Sequence, residues 1–454
     1  MRKDKAGAER VSAAAGLGRP LRPRVGVGSL SSPLEVGADR ATEAARQLAE
    51  LLSESGCEVI ELGAIGDADQ AVAAGRKLAE SHADAAALAP TSWFEDYLVL
   101  DLLAECRLPL LLWPLPGMET GALCGCQQLT CCLKRLGEAY ECVFGPIRAG
   151  DALGRAEAFL RAAALRGRLR RARVGLAGHR VAGMTEAAAD EITLKKAIGP
   201  RIVPLDLPKL LARADEMPTD KAQKLWRELV GRSGKCNVAE EAGVDSMRMY
   251  AAVKELIGRH GLDALAIGCY PHLMGRVCLA ASVLADEGVP LGCEGDVNGA
   301  VGQLILTLLT GRPTHNTDWL EPLDDGTVVF THCGSGSFSL AANPQEITLG
   351  PVRLMDRGVC ALFPARPGPV TLLNLVPAGD GYQCAMLEGE AIPTEMVFPG
   401  NPLRVRFAQP TDALIDWIHR EGIGHHWMAG YGHVGREIRA WARTMGAPLR
   451  LIEP

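Results

Sequence analysis

Four short segments of the chain concentrate side chains that hold divalent cations and move protons. The first is Cys293-Glu294-Gly295-Asp296-Val297-Asn298-Gly299, an acidic pair set between a strand-like approach and a strongly apolar run. That placement predicts a loop at the carboxyl end of a strand, where open α/β sheets bind ligands. The same acids taken alone also suit a helix N-terminus, where a side-chain cap and the dipole favour them. The second segment is Thr314-His315-Asn316-Thr317-Asp318-Trp319, whose Thr, Asn and Asp would equally make a polar turn. The third is His332, just past Thr327-Val328-Val329-Phe330; a lone histidine at a strand end is commonly structural. The fourth is Gly424-His425-His426-Trp427. Neighbours on an extended segment point to opposite faces, so only one of His425 and His426 is expected to aim into a given site. Together Glu294, Asp318, His332 and one of these histidines suit a hard or borderline divalent ion with oxygen and imidazole ligands. Two carboxylates and two imidazoles leave positions open for substrate hydroxyls, whereas a closed structural site would favour thiolates.

The elements that must position these residues follow from periodicity. From Arg24 to about residue 172 short apolar runs (Val25–Val27, Ala85–Ala89, Leu108–Trp113) alternate with helix-like stretches such as Ala41–Glu54 and Ala71–Ser81. Such runs between helices predict a parallel sheet buried on both faces. Residues 173–342 repeat the pattern as a second α/β domain, which carries the acidic candidates. Residues 343–454 change texture to short β-type runs separated by Gly, Pro and Asp. These predict an antiparallel β-rich domain closed by helices near Asp412–Arg420 and Arg436–Met445. Residues 1–23, rich in Arg, Lys, Ala and Gly, read as a disordered arm rather than a secretory signal.

Composition narrows the function classes. The chain has 454 residues, 48% hydrophobic and 22% charged, with a net charge of -6. This is ordinary for a soluble protein, and it argues against nucleic acid or an anionic membrane as partner. No stretch approaches the roughly 18 apolar residues of a membrane span. Fourteen cysteines without an export signal point to a reducing, cytoplasmic setting. Cys124, Cys126, Cys131 and Cys132 lack the paired spacing of a zinc site, so small buried thiols on a helix are expected there. Gly430-Tyr431-Gly432-His433-Val434-Gly435 fits the dinucleotide pattern, but the remaining chain is too short for the βαβ unit it needs, and a turn is expected. Gly334-Ser335-Gly336-Ser337 reads as a flexible loop.

At the four segments the sequence resembles the L-fucose/L-arabinose isomerase family, as a compact, divergent member. CEGDVNGA with the apolar run after it carries the likeness, together with the 24 positions that separate Glu294 from Asp318. So do His332 in THCGSGS and the closing GIGHHWMAGYGHVGREIRAWARTMG. Weaker likeness runs through GHRVAGMTEAAADE and the first α/β domain, so the resemblance covers residues from about 24 to the end. It implies two Rossmann-like α/β domains followed by a β-rich, barrel-like domain. It implies that Glu294 and Asp318 bind a manganese-type ion (Co²⁺ or Mg²⁺ being alternatives) and shuttle the proton. His425 or His426 would be a further ligand, and His332 would match the ligand of the arabinose branch. Met184 falls near a substrate-contacting loop of the family. His272, in Cys269-Tyr270-Pro271-His272, stands where such relatives carry a Trp-Pro-Glu-like segment, which bears on the choice of sugar. Homotrimers or homohexamers with sites built across subunits are implied as well.

The chemistry implied is aldose–ketose isomerisation of a pentose, hexose or modified sugar. Moving a carbonyl between C1 and C2 passes through an ene-diol, and two carboxylates can divide the work as base and acid. A divalent ion would polarise the carbonyl and stabilise the developing charge. Two other classes compete: a non-catalytic carbohydrate-binding or regulatory relative, and an enzyme running another enediolate step such as epimerisation or C–C cleavage. A protein that only bound sugar would have no need of the acid/base pair.

Overall fold

The computed structural model describes residues 21–148 and 150–454, so the arm expected over residues 1–23 lies almost wholly outside the described residues. The chain forms two compact units, one of residues 21–168 and 436–447, the other of residues 169–435 and 448–454.

The first unit alternates β1 (Arg24–Leu30), α1 (Ala41–Glu54), β2 (Glu58–Ile65), α2 (Ala68–Glu80), β3 (Ala85–Pro90), α3 (Tyr97–Glu105), β4 (Leu110–Leu112), α4 (Ala122–Leu136), β5 (Tyr140–Cys142) and α5 (Ala152–Arg171). Its five strands are parallel in the order β2-β1-β3-β4-β5. Every residue of β3 is buried, because helices cover both faces of the sheet. The Arg-dense run near its end continues α5 to Arg171. Of the clustered cysteines on α4 only Cys126 is buried, while Cys124 and Cys131 are exposed, which corrects the expectation of buried thiols. Helical periodicity turns those two outward.

The second unit begins with β6 (Arg173–Ala177), α6 (Glu191–Ala197), β7 (Arg201–Leu205), α7 (Leu207–Asp215), α8 (Thr219–Val230), β8 (Lys235–Cys236), α9 (Glu240–His260), β9 (Ala264–Ile267), α10 (Cys278–Asp286), β10 (Leu291–Gly292) and α11 (Val297–Thr310). Strands β10-β9-β6-β7 make a second parallel sheet. The sequence reading passed over α7 and α8, although Asp206 supplies a side-chain cap to α7 and Pro208 sits in its first turn. Then follow β11 (Thr314–Pro322), β12 (Thr327–Thr331), β13 (Thr348–Val352), β14 (Arg357–Leu362), β15 (Gly368–Ala378), β16 (Gly381–Ile392), β17 (Leu403–Arg406), α12 (Thr411–Glu421), β18 (His426–Tyr431), α13 (Gly435–Met445) and β19 (Leu449–Ile452). The order β15-β18-β11-β12-β17-β16 closes on itself through β15–β16, and β19 joins β16 in parallel. Closure leaves no open edge among those six strands.

The fold is therefore α/β with a β-rich C-terminal region, as the sequence implies. The boundary expected at residue 342 separates no cores: β11 and β12 precede it yet are barrel strands, and Leu265, Leu279, Val328, Phe330 and Leu372 share one cluster. Segment 334–337 is buried rather than a loose loop. Asn401 accepts from Gly336 N at 2.8 Å and donates to Ala361 O at 2.7 Å, and Ser337 hydrogen-bonds Asp286.

Candidate metal and acid–base site

The acidic segment leaves β10 as a single 3-10 turn, Cys293–Gly295, before Asp296 caps α11 by accepting from Gly299 N at 2.9 Å. The cap expected from the sequence is thus present. Glu294 sits in the left-handed region at φ 62, which costs a non-glycine residue about 1 kcal/mol. Gly295 follows at φ 72, where an added Cβ would stand 2.5 Å from the His179 carbonyl oxygen. Such local cost persists where the surroundings over-determine it, and here the turn sets the Glu294 carboxylate against the barrel.

The barrel supplies the rest by register. In the antiparallel pairing of β11 and β18, Asp318 lies directly opposite His426, so both side chains emerge on one face. In the pairing of β11 and β12, Asp318 lies opposite Thr331, which places His332 at the next position along the chain. The segment that could have been a polar turn is therefore a barrel strand. His426 Nε2 lies 3.3 Å from Glu294 Oε2 and 3.7 Å from Asp318 Oδ1. Its other nitrogen, Nδ1, lies 2.8 Å from Asp296 Oδ2 and donates to it. Three groups of ligand-type side chains occur among the described residues, and two of them share His426: Glu294 with His425 and His426, and Asp318 with His332 and His426, each with ligand atoms within 4.8 Å of one another.

His425 departs from the expected alternation. It precedes β18 in a bend, so the strand rule does not reach it, and its ring lies tilted by 45° beside that of His426 with centroids 4.2 Å apart. Its Nδ1 lies 2.8 Å from Glu186, and its side chain remains 46% exposed against 6% for His426. The bend is held by Asn374, which donates to Gly424 O at 3.1 Å and His426 O at 2.7 Å and accepts from Gly424 N at 3.2 Å.

Three carboxylates, Glu294, Asp296 and Asp318, surround His426, and Asp318 also acts on His332. Burial would push His426 toward neutrality, yet Asp296, Glu294 and Asp318 outweigh it and raise its pKa well above the ordinary histidine value. His332 is raised to about 9, with burial opposing and Asp318 and Cys293 prevailing. Burial would raise the Glu294 carboxyl, but His426 and His332 hold it below its usual value. Two buried atoms, Asp318 Oδ1 and His426 Nε2, have no hydrogen-bond partner. With Nδ1 donating to Asp296, a neutral His426 would offer Nε2 as an acceptor, and a cation that displaces the proton there and meets Asp318 Oδ1 would satisfy both atoms. The donor set of oxygens and imidazoles therefore fits a hard or borderline divalent ion.

Other candidates lie elsewhere. Met184 is part-buried in the loop between β6 and α6, a loop that touches the acidic turn where Val181 N donates to Glu294 O at 3.2 Å. His272 is exposed, and its carbonyl accepts from Arg357 at 3.1 Å; it belongs to none of the three groups. Sequence reasoning offered Asp296 as part of an acidic pair in a ligand-binding loop or as a helix cap, and missed its hold on His426. Asn374 was invisible, being one polar residue inside an apolar β run. Asn316 shares the Asp318 face of β11 two residues away, and both polar atoms of its buried amide are unpartnered. The glycine-rich segment at 430–435 ends β18 and turns into α13, as expected of a closing turn.

No family model matches the chain. It is similar to the sulfoquinovose isomerase of Alkalicoccus urumqiensis, 25% identical over 362 residues, or 76% of this chain and 81% of that protein. It is also similar to the sulfoquinovose isomerase of Clostridium sp. strain MSTE9, 25% identical over 365 residues with the same coverage. That of Priestia aryabhattai is 27% identical over 284 residues, 60% of this chain and 63% of that protein.

Proposed function

We propose that this chain is a metal-dependent aldose–ketose isomerase that works through an ene-diol on a sugar of the sulfonated-hexose class. The observation that carries the reading is the pair of carboxylates, Glu294 and Asp318, placed 3.3 and 3.7 Å from the same imidazole nitrogen of His426. The similarity to three sulfoquinovose isomerases supports it and puts that sugar first among the substrates to try. Glu294, Asp318 and His426 would hold the ion, with His332 or His425 completing its protein ligands. Such an ion, when bound, supplies Lewis acidity toward neighbouring sugar oxygens.

The chain's own residues do the rest. Glu294, held ionised by His426 and His332, takes the proton from the carbon beside the carbonyl. Asp318, on the opposite strand position, serves the neighbouring oxygen or carbon as the second proton carrier. Asp296 fixes the His426 tautomer by accepting from Nδ1, leaving Nε2 turned toward the two carboxylates. Asn374 holds the bend that presents both rings.

The test is incubation of chelated, then Mn²⁺-reconstituted protein with sulfoquinovose and a panel of aldoses in D₂O. NMR should show ketose formation and deuterium at the carbon beside the carbonyl, both dependent on the ion. Tight Mn²⁺ binding without exchange on any sugar would remove the proposal in favour of a binding role.

A further inference from the structure

Behind the oxygen-rich cluster lies a second set of ligand atoms of different chemistry. Cys269 follows β9, Cys278 opens α10, Cys293 follows β10, Cys333 follows β12 and Cys360 lies in β14. All five are free thiols, and all but Cys333 are buried. Cys278 Sγ lies 3.8 Å from Cys333 Sγ, and Cys333 Sγ lies 3.1 Å from His332 Nδ1. The ligand atoms of Cys293, His332 and Cys333 are all within 4.8 Å of one another. Cys269 adjoins Cys293 and Cys360 adjoins Cys278, which extends the run of thiols on both sides.

A single buried cysteine is a small apolar side chain and needs no further account. Two thiols from separate segments that meet one imidazole, with three more cysteines beside them, are a different matter. A tetrahedral zinc–thiolate site with bonds of about 2.3 Å has sulfurs about 3.8 Å apart. The Cys278–Cys333 separation has that value, but Cys278 is not within 4.8 Å of all of Cys293, His332 and Cys333, so it adjoins their group rather than completing it. Thiolates select soft and borderline ions, while the Glu294, Asp318 and His426 set selects harder ones.

We propose that Cys293, Cys333 and His332 form a site for a thiophilic cation of the Zn²⁺ or Cu⁺ class, beside the carboxylate–imidazole cluster and sharing His332 with it. The thiols would bind as thiolates, each releasing its proton to solvent as the ion enters. His332 belongs to both sets, so loading the thiol site draws it away from Asp318 and His426. That last consequence rests on the sugar-site reading; the thiol site does not.

The test is titration of the chelated, reduced full-length protein with Co²⁺ and Cd²⁺, followed by near-ultraviolet thiolate-to-metal charge-transfer absorption. A saturable band is expected in the unaltered protein. It should persist in Asp318→Asn, which removes a ligand of the harder site only. Cys333→Ser and Cys293→Ser should lose it, whereas Cys384→Ser, a buried cysteine of β16, should keep it. Absence of any sulfur band in the unaltered protein overturns the proposal whatever the variants do. So does a band that survives both Cys333→Ser and Cys293→Ser. Sugar turnover enters none of these readouts, so failure of the isomerase reading is seen separately.

Discussion

Glu294 and Asp318 differ in how they reach the site, and substitution should expose the same chemical need in both. Glu294→Gln and Asp318→Asn keep shape but cannot carry the proton. Each should lower turnover about a hundred- to ten-thousandfold, read as loss of deuterium exchange with an unchanged circular dichroism spectrum. Retained turnover in either would end the acid/base assignment. Asp296 has two roles that one substitution separates. Asn is as good a helix cap as Asp, so Asp296→Asn should keep the α11 cap, and the stability it loses measures the buried pairing with His426. It should also weaken Mn²⁺ binding about 10- to 100-fold by calorimetry, because the carboxylate that orients His426 is gone. His315 gives a pH signature away from the candidate ligands. It is fully buried between Phe363 and Tyr431, and burial followed by Arg366 lowers its pKa to about 4. The folded state thus prefers the neutral ring more than the unfolded chain does. Its contribution, about 3 kcal/mol, is complete above the unfolded value of 6.5 and is lost as pH falls toward 4. Urea midpoints at pH 7 and 4.5 should converge by that margin in His315→Phe relative to the unaltered protein.

At the scale of elements, the site is the meeting of a two-residue strand, three barrel strands and one bend. The bend depends on Asn374 of β15, which serves three backbone groups of Gly424 and His426. Asn374→Leu would strip those groups of partners inside the protein. A loss of about 2 kcal/mol is expected from unsatisfied buried groups, together with weaker Mn²⁺ binding as the His425 and His426 rings lose their setting. Chemical denaturation and calorimetry on the same sample measure both. Normal Mn²⁺ affinity with lowered stability would show that the bend holds its shape through β18 alone. The segment holding Asp318 shows why local composition misleads here. Thr, Asn and Asp favour turns, but a strand paired on both sides by β12 and β18 overrides that preference.

For the whole molecule, the chain leaves the second unit after Gly435, gives α13 to the first, and returns with β19 to the barrel. Ile438 and Trp441 of α13 are fully buried, Glu437 pairs with Arg161, and Arg443 with Glu141 at 2.8 Å. Trp441→Ala should therefore cost the first unit about 3–5 kcal/mol. Hydrogen exchange should quicken in β1 to β5 while Mn²⁺ binding by the barrel persists. The assembly implied by the family resemblance predicts three or six copies of the 48.2 kDa chain by light scattering. Full activity in a monomer would remove the expectation of sites shared between subunits. No helix among the described residues is long and apolar enough to cross a membrane.

The α/β alternation, the β-rich C-terminal texture and the residue types of the site were legible along the chain, because these follow from periodicity and local chemistry. It held Glu294, Asp318, His332, His425 and His426 as candidates and Asp296 as a cap. Only tertiary structure decided that Asp318 faces His426, since register between β11 and β18 is a long-range matter. It alone decided that Asp296 orients an imidazole 130 positions away, and that Cys293 meets His332 and Cys333. It also sent α13 to the first unit. Each of these depends on where distant segments meet, and no local pattern along the chain records that.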